Sequence, residues 1–350
     1  MSTTFRASVT PGNARAPFAS AGVTGLLPLV VLSLSVAASG QTPTNRDLSH
    51  HTDLKEQGYP INSGLRAVPA KEAALEDADI VIGVAIGEEA RAYPLNAMWG
   101  PSGEVLNDAL GGAPVSITWC SLAHTAVAYD PRLDGRQLEL GEIGAQNGVS
   151  ILYDRQSGSW WGQILGKALR GPMQGRELRQ WPSTLTTWGR WRQLHPATTV
   201  YVDPGPAGPR RFTEETWSWI LTLARDGSVA NEDLVAGISG PKSARAWLLR
   251  RLYRAGRVVN DALDGEPVVV FLAADTVTVR VLRRTVGKRT LTFRAAGDSL
   301  RDDETGSVWD PMTGRAQSGP LAGKKIESVL FTTALWYAWH SQRPDTTLWD

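Results

Sequence analysis

The sequence predicts an α+β fold that is rich in β-structure and consists of two homologous tandem domains, each with one C-terminal helix. Three observations predict it. Among the 350 residues, 35 are Gly and 21 are Pro, and this composition favours many turns between short strands. Short segments alternate between apolar and polar or small residues, as half-buried strands do. The third observation is an internal repeat that covers most of the chain.

The repeat appears as motifs that recur at nearly constant spacing. The segment Val105–Leu110 recurs as Val258–Leu263, and Asn107 and Asn260 are 153 residues apart. Further along the chain the spacing is 148 residues, and it relates Gly166 to Gly314, Trp161 to Trp309, Trp188 to Trp336, Trp191 to Trp339 and Pro196 to Pro344. The five-residue difference places a longer loop of the first copy between residues 130 and 150.

These spacings divide the chain into five segments. We expect a signal peptide over 1–40, an N-terminal extension over 41–79, a first repeat domain over 80–201, a linker with a short helix over 202–233, and a second, degenerate repeat domain over 234–350. In the first domain, alternation predicts strands over 79–87, 90–95, 115–119, 125–129, 136–140 and 149–153. A helix is expected over 183–194, ended by Pro196, and another in the linker over 213–225.

The first 40 residues have the pattern of a secretory signal peptide. Arg6 and Arg15 precede an apolar run over 23–38, which ends in small residues that a signal peptidase accepts. The run is shorter than the roughly 20 apolar residues of a membrane span and contains Pro28. We therefore expect cleavage after Gly40 and a periplasmic or secreted protein with no stable membrane span. A permanent N-terminal anchor is the alternative.

Charge and cysteine content exclude several classes of protein. Lys and Arg total 36 against 35 Asp and Glu, so no strong positive charge points to nucleic acid. The single cysteine excludes an internal disulfide framework and a multi-cysteine metal site. No nucleotide-binding, hydrolase or zinc-protease motif is present, so the sequence predicts no particular cofactor. A small ligand, a glycan or an envelope protein are the partners that remain.

A series of motifs in the first copy resembles a known family. The motifs are A-Y-P-L over 92–95, V-x-N-D over 105–108, G-x-P-V over 112–115, T-W-C-S-L over 118–122 and D-R-x-x-G-S-x-W over 154–161. Through them the chain resembles the family called domain of unknown function 3179, and the second copy resembles it more weakly. The family typically carries a Cys-Pro-Leu-Cys-like segment, whereas this chain has Cys120 followed by Ser-Leu-Ala. The resemblance implies no particular reaction.

Residues kept in both copies are most simply determinants of the fold. Asn107 and Asp108 precede a Gly-x-Pro turn, where their side chains are expected to bond backbone groups. Arg91, which recurs as Arg245, is expected to form a structural ion pair, and the paired tryptophans are expected in the core. A ligand-binding role for Asn107, Asp108, Arg91 and Asp154 is the alternative interpretation.

Residues that differ between the copies are the better functional candidates. Cys120 and His124 are candidate catalytic residues, because the second copy has Ala273 and Val277 in their places. Both flank a tight connection, where an imidazole near a thiol would lower the thiol pKa and favour the nucleophilic thiolate. Three interpretations of Cys120 stay open: a small buried hydrophobe, a reactive thiol and a metal ligand.

Two functions follow from these candidates. The first is an exported protein whose first copy carries a Cys120–His124 pocket, with Trp119 beside it, for thiol chemistry or for binding a small ligand or metal ion. The second is a non-catalytic binding or scaffold module, in which an exposed Trp160 grips a glycan or a protein. The second copy has Val308 in place of Trp160.

Overall fold

The structure is a computed structural model that describes residues 49–98, 100, 102–203, 212–213, 217 and 228–350. The expected signal peptide with its cleavage site lies outside the described residues, and so does most of the expected linker helix. We refer to residues 80–201 as the first half and to residues 234–350 as the second half. Both belong to one compact unit, Asn45–Asp350.

Three five-stranded sheets contain most of the first half and the segment that precedes it. The first consists, in spatial order, of β16 (Ser183–Thr187), β4 (Ile80–Ile86), β5 (Glu89–Pro94), β17 (Thr199–Tyr201) and β3 (Ala67–Pro69). The second consists of β15 (Arg179–Trp181), β8 (Thr125–Asp130), β7 (Ala113–Cys120), β6 (Val105–Leu110) and β2 (Asn62–Ser63). The third consists of β1 (Asp53–Leu54), β11 (Leu140–Gln146), β12 (Val149–Asp154), β13 (Trp160–Gly162) and β14 (Ala168–Arg170). A hairpin of β9 (Arg132–Leu133) and β10 (Arg136–Gln137) follows β8 of the second sheet and precedes β11 of the third.

The second half contains the same arrangement with fewer strands. Its first sheet is β29 (Thr332–Leu335), β18 (Leu234–Ser239), β19 (Ala244–Leu248) and β30 (Thr346–Leu348). The next is β20 (Val258–Leu263), β21 (Glu266–Leu272) and β22 (Val279–Arg283), followed by the hairpin β23 (Thr285–Val286) and β24 (Arg289–Thr290). The last is β25 (Phe293–Ala296), β26 (Ser299–Asp302), β27 (Val308–Asp310) and β28 (Arg315–Ser318).

The helices are short and differ in part from the expectation. Among the described residues they are α1 (Trp188–Leu194), α2 (Leu249–Arg254) and α3 (Trp336–Gln342), with 3-10 turns at Ala70–Glu72 and Leu95–Ala97. The helix expected over 183–194 begins only at Trp188, because the β-branched residues before it form β16 and pair with β4. Helix α2 was not expected. The strand expected over 136–140 is divided between the hairpin and β11.

Strand register shows which residues of the two halves occupy matching places. Trp119 pairs with Ala126 across β7 and β8, and Leu272, 153 residues after Trp119, pairs with Val279. Leu152 pairs with Glu142, and Leu300, 148 residues after Leu152, pairs with Ala295. We call residues related in this way counterparts: the offset is 154 over 80–95, 153 over 104–142 and 148 from Ser150 onward, and the longer hairpin of the first half lies between the last two ranges.

Several side-chain contacts recur between counterparts. The indole N–H of Trp161 donates to Asp154 at 3.0 Å, and that of Trp309 donates to Asp302 at 2.8 Å. In the same way, the side chain of Asn107 bonds the backbone of Leu140, and that of Asn260 bonds the backbone of Phe293. A glycine also packs against an indole ring in each half: Gly83 against Trp191, and Gly237 against Trp339. The tryptophans of these contacts are buried, as the sequence predicted.

Candidate functional site

Cys120 ends β7 and is completely buried. The backbone N–H of Ala123 donates to its sulfur at 3.4 Å, and Ser150 on β12 also hydrogen-bonds the thiol. Burial, reinforced by the nearby charge of Glu104, raises the pKa of Cys120 to about 12. The thiol is therefore protonated at neutral pH, and its chemistry in this state is that of a weak hydrogen-bonding group.

Two buried glutamates lie near this thiol. Glu104, just before β6, accepts a hydrogen bond from the backbone N–H of Ser121 at 3.4 Å. Glu142 on β11 accepts one from the hydroxyl of Ser150 at 3.1 Å. Burial raises the pKa of Glu104 to about 7, and burial together with the charge of Glu104 raises the pKa of Glu142 to about 8. Both carboxyl groups therefore gain or lose protons near neutral pH.

Cys120 and Glu142 belong to a polar layer between the second and third sheets, and Glu104 lies beside it. Alternation along β7 turns Ser116, Thr118 and Cys120 to the same face, towards the third sheet. Gln163, after β13, donates through Nε2 to Thr118 Oγ1 at 2.9 Å and to the carbonyl of Thr125 at 3.3 Å. We call Ser116, Thr118, Cys120, Glu142, Ser150 and Gln163 the polar layer.

Some acceptors near and within the layer lack partners. Within the described part of the chain, Glu142 Oε2, Gln163 Oε1 and Thr125 Oγ1 are buried and have no hydrogen-bond partner. Such atoms are uncommon, since nine in ten or more buried polar groups are bonded in folded proteins. These three acceptors therefore mark a place where the fold carries polar groups that its own packing does not use.

The second half fills the same space with apolar side chains. The counterparts of Ser116, Thr118 and Cys120 are Val269, Phe271 and Ala273, and all three are completely buried in a hydrophobic cluster. The counterparts of Glu142 and Gln163 are Ala295 and Pro311. The fold thus accommodates an apolar layer here, so the polar layer of the first half is not required by the architecture.

His124 lies on the other side of β7 from this layer. Its ring packs edge-on against Trp119, with the ring centroids 6.1 Å apart, and against Trp217 at 5.5 Å. Trp119 alternates with Cys120 along β7 and therefore faces away from Ser150. Burial lowers the pKa of His124 to about 4, which keeps the imidazole neutral at physiological pH. The expected thiol–imidazole pair stays a prediction, and the hydrogen bonds to the thiol come from Ser150 and Ala123.

The residues kept in both halves hold the fold together. Arg91 forms an ion pair with Asp108, and Tyr93 donates to the same carboxylate at 2.8 Å. The counterparts Arg245 and Asp261 form the same pair at 2.9 Å. Asn107 bonds the backbone of Leu140 in both directions and also donates to the carbonyl of Asn62, so its backbone partners lie on neighbouring strands and not at the Gly-x-Pro turn.

The remaining candidates are less available to a ligand than the sequence suggested. Asp154 is buried and accepts hydrogen bonds from Trp161 and from Ser157. Trp119 is buried beside His124. Trp160 is half-buried rather than exposed, because the guanidinium of Arg170 covers its ring at 4.8 Å. Packing against the neighbouring strand, which the sequence does not reveal, decides each case.

Sequence reasoning missed Glu104, Glu142, Ser150 and Gln163. The signal was nevertheless present, because all four differ from their counterparts, as Cys120 does. Glu104 corresponds to Arg257, and Ser150 corresponds to Asp298. Where the first half has a carboxyl and a hydroxyl group, the second half has an ion pair between Arg257 and Asp298 at 2.9 Å. Applying the comparison of copies to every polar residue would have found them.

Two kinds of feature are absent from the described residues. No helix among them is both long and apolar enough to cross a membrane. Within the same residues, no group of three or more His, Cys, Asp or Glu side chains is arranged to hold a metal ion.

Comparison with known proteins gives one match. No curated protein and no solved structure matches the chain. A family model described as Protein of unknown function (DUF3179) matches residues 61–346, which include all of the first half and nearly all of the second. The chain therefore belongs to the DUF3179 family, the family that its motifs resemble.

Proposed function

We propose that this protein is exported, that its first half binds a small polar ligand at the polar layer, and that its second half is a structural partner derived by duplication. The observation that carries the proposal is the contrast between the halves. Matching strand positions carry polar side chains in the first half and mostly apolar side chains in the second. Polar groups that cost stability without improving packing are typical of functional sites.

The chemistry of the layer favours ligand binding and proton exchange over nucleophilic attack. A thiol with a pKa of about 12 supplies little thiolate at neutral pH, whereas carboxyl groups with pKa values of about 7 and 8 exchange protons readily there. The unpartnered Oε1 of Gln163 would accept a hydrogen bond from a ligand, and the unpartnered Oε2 of Glu142 would donate one when the carboxyl group is protonated and accept one when it is ionised. The ligand class is therefore a small molecule that carries hydroxyl or amide groups.

The alternative function, a scaffold that grips a glycan or protein through Trp160, has weaker support. The ring of Trp160 is half-buried, and one of its faces is already occupied by Arg170. Aromatic platforms for sugars and peptides need an accessible ring face. Loss of glycan or protein binding on Trp160→Ala, with the polar layer intact, would favour this alternative.

Two conservative substitutions test the ligand-binding proposal. Thr118→Val and Glu142→Met remove polar atoms of the layer at nearly constant volume. We expect Glu142→Met to unfold at or above the wild-type temperature, because it removes a buried carboxyl group, and Thr118→Val to unfold slightly below it, because Gln163 Nε2 loses one acceptor. A thermal-shift panel of polyols, sugars and small amides should contain compounds that stabilise the wild type and not these variants. Asp154→Asn is the control, since it weakens a contact kept in both halves and should lower the melting temperature.

The opposite pattern would reject the proposal. If Thr118→Val and Glu142→Met destabilise the protein as Asp154→Asn does, the layer is structural. If no compound of the panel distinguishes the wild type from the two variants, the layer binds no ligand of this class.

Export and duplication are tested separately. Arg6, Arg15 and the apolar run over 23–38 support export. Mass spectrometry of protein from the periplasm or the medium should find a chain that begins at Gln41, and a retained N-terminus would reject cleavage. The recurring contacts of Trp161 and Trp309 support duplication. A crystal structure that placed these two residues in unrelated environments would reject it.

A further inference from the structure

In the second half an arginine side chain joins two backbone carbonyl groups of different segments. Arg284 follows β22, and its Nη1 donates to the carbonyl oxygen of Leu291 at 2.9 Å. Its Nε reaches the carbonyl oxygen of Asp261 at 3.4 Å. Arg284 thus satisfies two backbone acceptors with one half-buried guanidinium.

The first half has proline at the matching position. The counterpart of Arg284 is Pro131, and the backbone is the same at this point. The N–H of Leu138 donates to the carbonyl of Pro131 at 2.9 Å, and the N–H of Leu291 donates to that of Arg284 at 2.8 Å. The difference between the halves is therefore in the side chain, which is too short in Pro131 to reach the matching carbonyl groups.

A groove of the first half is consequently open at this point. It has a volume of about 320 Å³ and is lined by Asp108 and Leu138, the counterparts of the residues that Arg284 bonds, as well as by Pro131. The extension before the first half supplies a further wall, since β2 pairs with β6 and brings Gly64 and Leu65 to the groove. This volume lies at the lower end of the range for small-ligand sites.

We propose that this groove binds a guanidinium group, in the position that Arg284 occupies in the second half. The matching backbone predicts that the carbonyl groups of Asp108 and Leu138 accept its N–H donors. Those acceptors are neutral, so the contact does not depend on their titration. The groove shares Ser116 with the polar layer, but the inference rests on the carbonyl groups of Asp108 and Leu138 and does not depend on the function proposed for that layer.

Charge near the groove is compatible with a second cation. Asp108 already pairs with Arg91, and Asp261 already pairs with Arg245. The second half nevertheless holds the guanidinium of Arg284 next to its own pair. The rim of the open groove also carries Glu139, whose carboxylate pairs with Arg155.

Titration of the purified protein with arginine, agmatine and N-acetyl-argininamide tests the proposal, with lysine as the control ligand. We expect saturable binding of at least one guanidinium compound at millimolar concentration and at least roughly tenfold weaker binding of lysine. Binding of arginine and agmatine without the amide identifies a free metabolite-like ligand. Preference for N-acetyl-argininamide identifies an arginine of a polypeptide.

Three variants locate the site. Pro131→Arg should fill the groove as Arg284 does and weaken binding at least roughly tenfold, whereas Pro131→Ala should leave the affinity within about twofold. Arg284→Ala should open the matching groove and increase the number of bound ligands. The proposal is wrong if no guanidinium compound saturates, or if a folded Pro131→Arg variant, verified by its melting curve, binds as the wild type does. Should Pro131→Arg fail to fold, an Arg284→Ala variant with unchanged stoichiometry would overturn the proposal instead.

Discussion

The thiol of Cys120 hydrogen-bonds Ser150 across two sheets, whereas the counterparts of these residues are Ala273 and Asp298. Asp298 cannot pair with an alanine, and its carboxylate instead bonds Arg257 at 2.9 Å and Arg190 at 2.6 Å. At this end of the layer the second half therefore has an ion-pair network around Asp298, whereas the rest of its layer is apolar. This difference separates a site that can exchange protons from one that is held in a fixed charge state.

The first prediction concerns the reactivity of Cys120. Because the thiol is buried and its pKa is about 12, we expect iodoacetamide to modify it only as the protein unfolds. His124→Val should leave the pH profile of modification unchanged, since the ring of His124 packs against Trp119 and Trp217. Alkylation rates between pH 7 and 10, measured beside melting curves, check this. Fast native modification that slows in His124→Val would instead establish a working thiol–imidazole pair.

The second prediction concerns stability against pH. The folded pKa values of Glu104 and Glu142 are raised from 4.5 to about 7 and 8, so the native state binds protons that the unfolded chain has already lost. The free energy of unfolding should therefore fall as the pH rises through this interval. Each bound proton contributes a slope of about 1.4 kcal/mol per pH unit.

The window for this measurement lies above pH 6.5. The folded pKa of His124 is lowered from 6.5 to about 4, so its contribution to stability is lost as the pH falls through that interval and opposes the effect of the glutamates. Urea unfolding between pH 6.5 and 8.5 should show a decline in the wild type and a flatter curve in Glu142→Met. Equal slopes in the two proteins would mean that Glu142 titrates normally.

The β-rich character of the fold and the positions of several strands were predictable because they depend on local patterns of residues. Trp188 and Trp336 begin corresponding helices, and the strand β7 follows from alternation. The polar layer and the neighbouring Glu104 were harder to predict, because Glu142 and Ser150 lie on different strands, Glu104 precedes a third, and the three meet only after the sheets pack. Trp160 illustrates the same limit: its exposure depends on Arg170, a residue of the next strand.

The third prediction tests the shared packing of the two halves. A Cβ atom at Gly83 would lie 2.2 Å from the ring of Trp191, and one at Gly237 would lie 2.4 Å from that of Trp339. Gly83→Ala and Gly237→Ala should therefore each destabilise the protein by about 2 kcal/mol or more, since a buried indole has little room to move. At Gly162 the nearest atom is 3.6 Å away, so Gly162→Ala is the control and should have little effect.

The outcome of this comparison bears on the duplication. Similar losses for Gly83→Ala and Gly237→Ala in chemical denaturation would indicate that both helices pack on their sheets in the same way. A loss of stability at one position alone would show that the contact between glycine and tryptophan stabilises only one of the two halves.

The last prediction concerns Arg190, which joins the halves. It lies on α1 of the first half and pairs with Asp275 at 2.8 Å and Asp298 at 2.6 Å, both in the second half. Because the side chain of Asp275 is only 7% exposed, Arg190→Ala leaves a desolvated carboxylate without this cation. We expect a loss of about 2 kcal/mol in the free energy of unfolding, between the values for buried and exposed ion pairs.

Arg192→Ala is the matched control, since Arg192 lies on the same helix and pairs with Asp77, whose side chain is 72% exposed. This pair should contribute less than about 1 kcal/mol. A double-mutant cycle of Arg190→Ala with Asp275→Ala, measured by urea unfolding, isolates the contact between the halves.

The stabilisation by Arg190 should also depend on pH. Burial raises the pKa of Asp298, but the pairing with Arg190 and Arg257 outweighs it and lowers this pKa below the unfolded value of 3.8. The stabilisation that Asp298 contributes is therefore present above pH 3.8 and is lost as the pH falls through the folded pKa. The difference between wild type and Arg190→Ala should therefore shrink in acid. A coupling energy near zero, or a difference that does not change with pH, would mean that the ion pairs of Arg190 do not stabilise the contact between the halves.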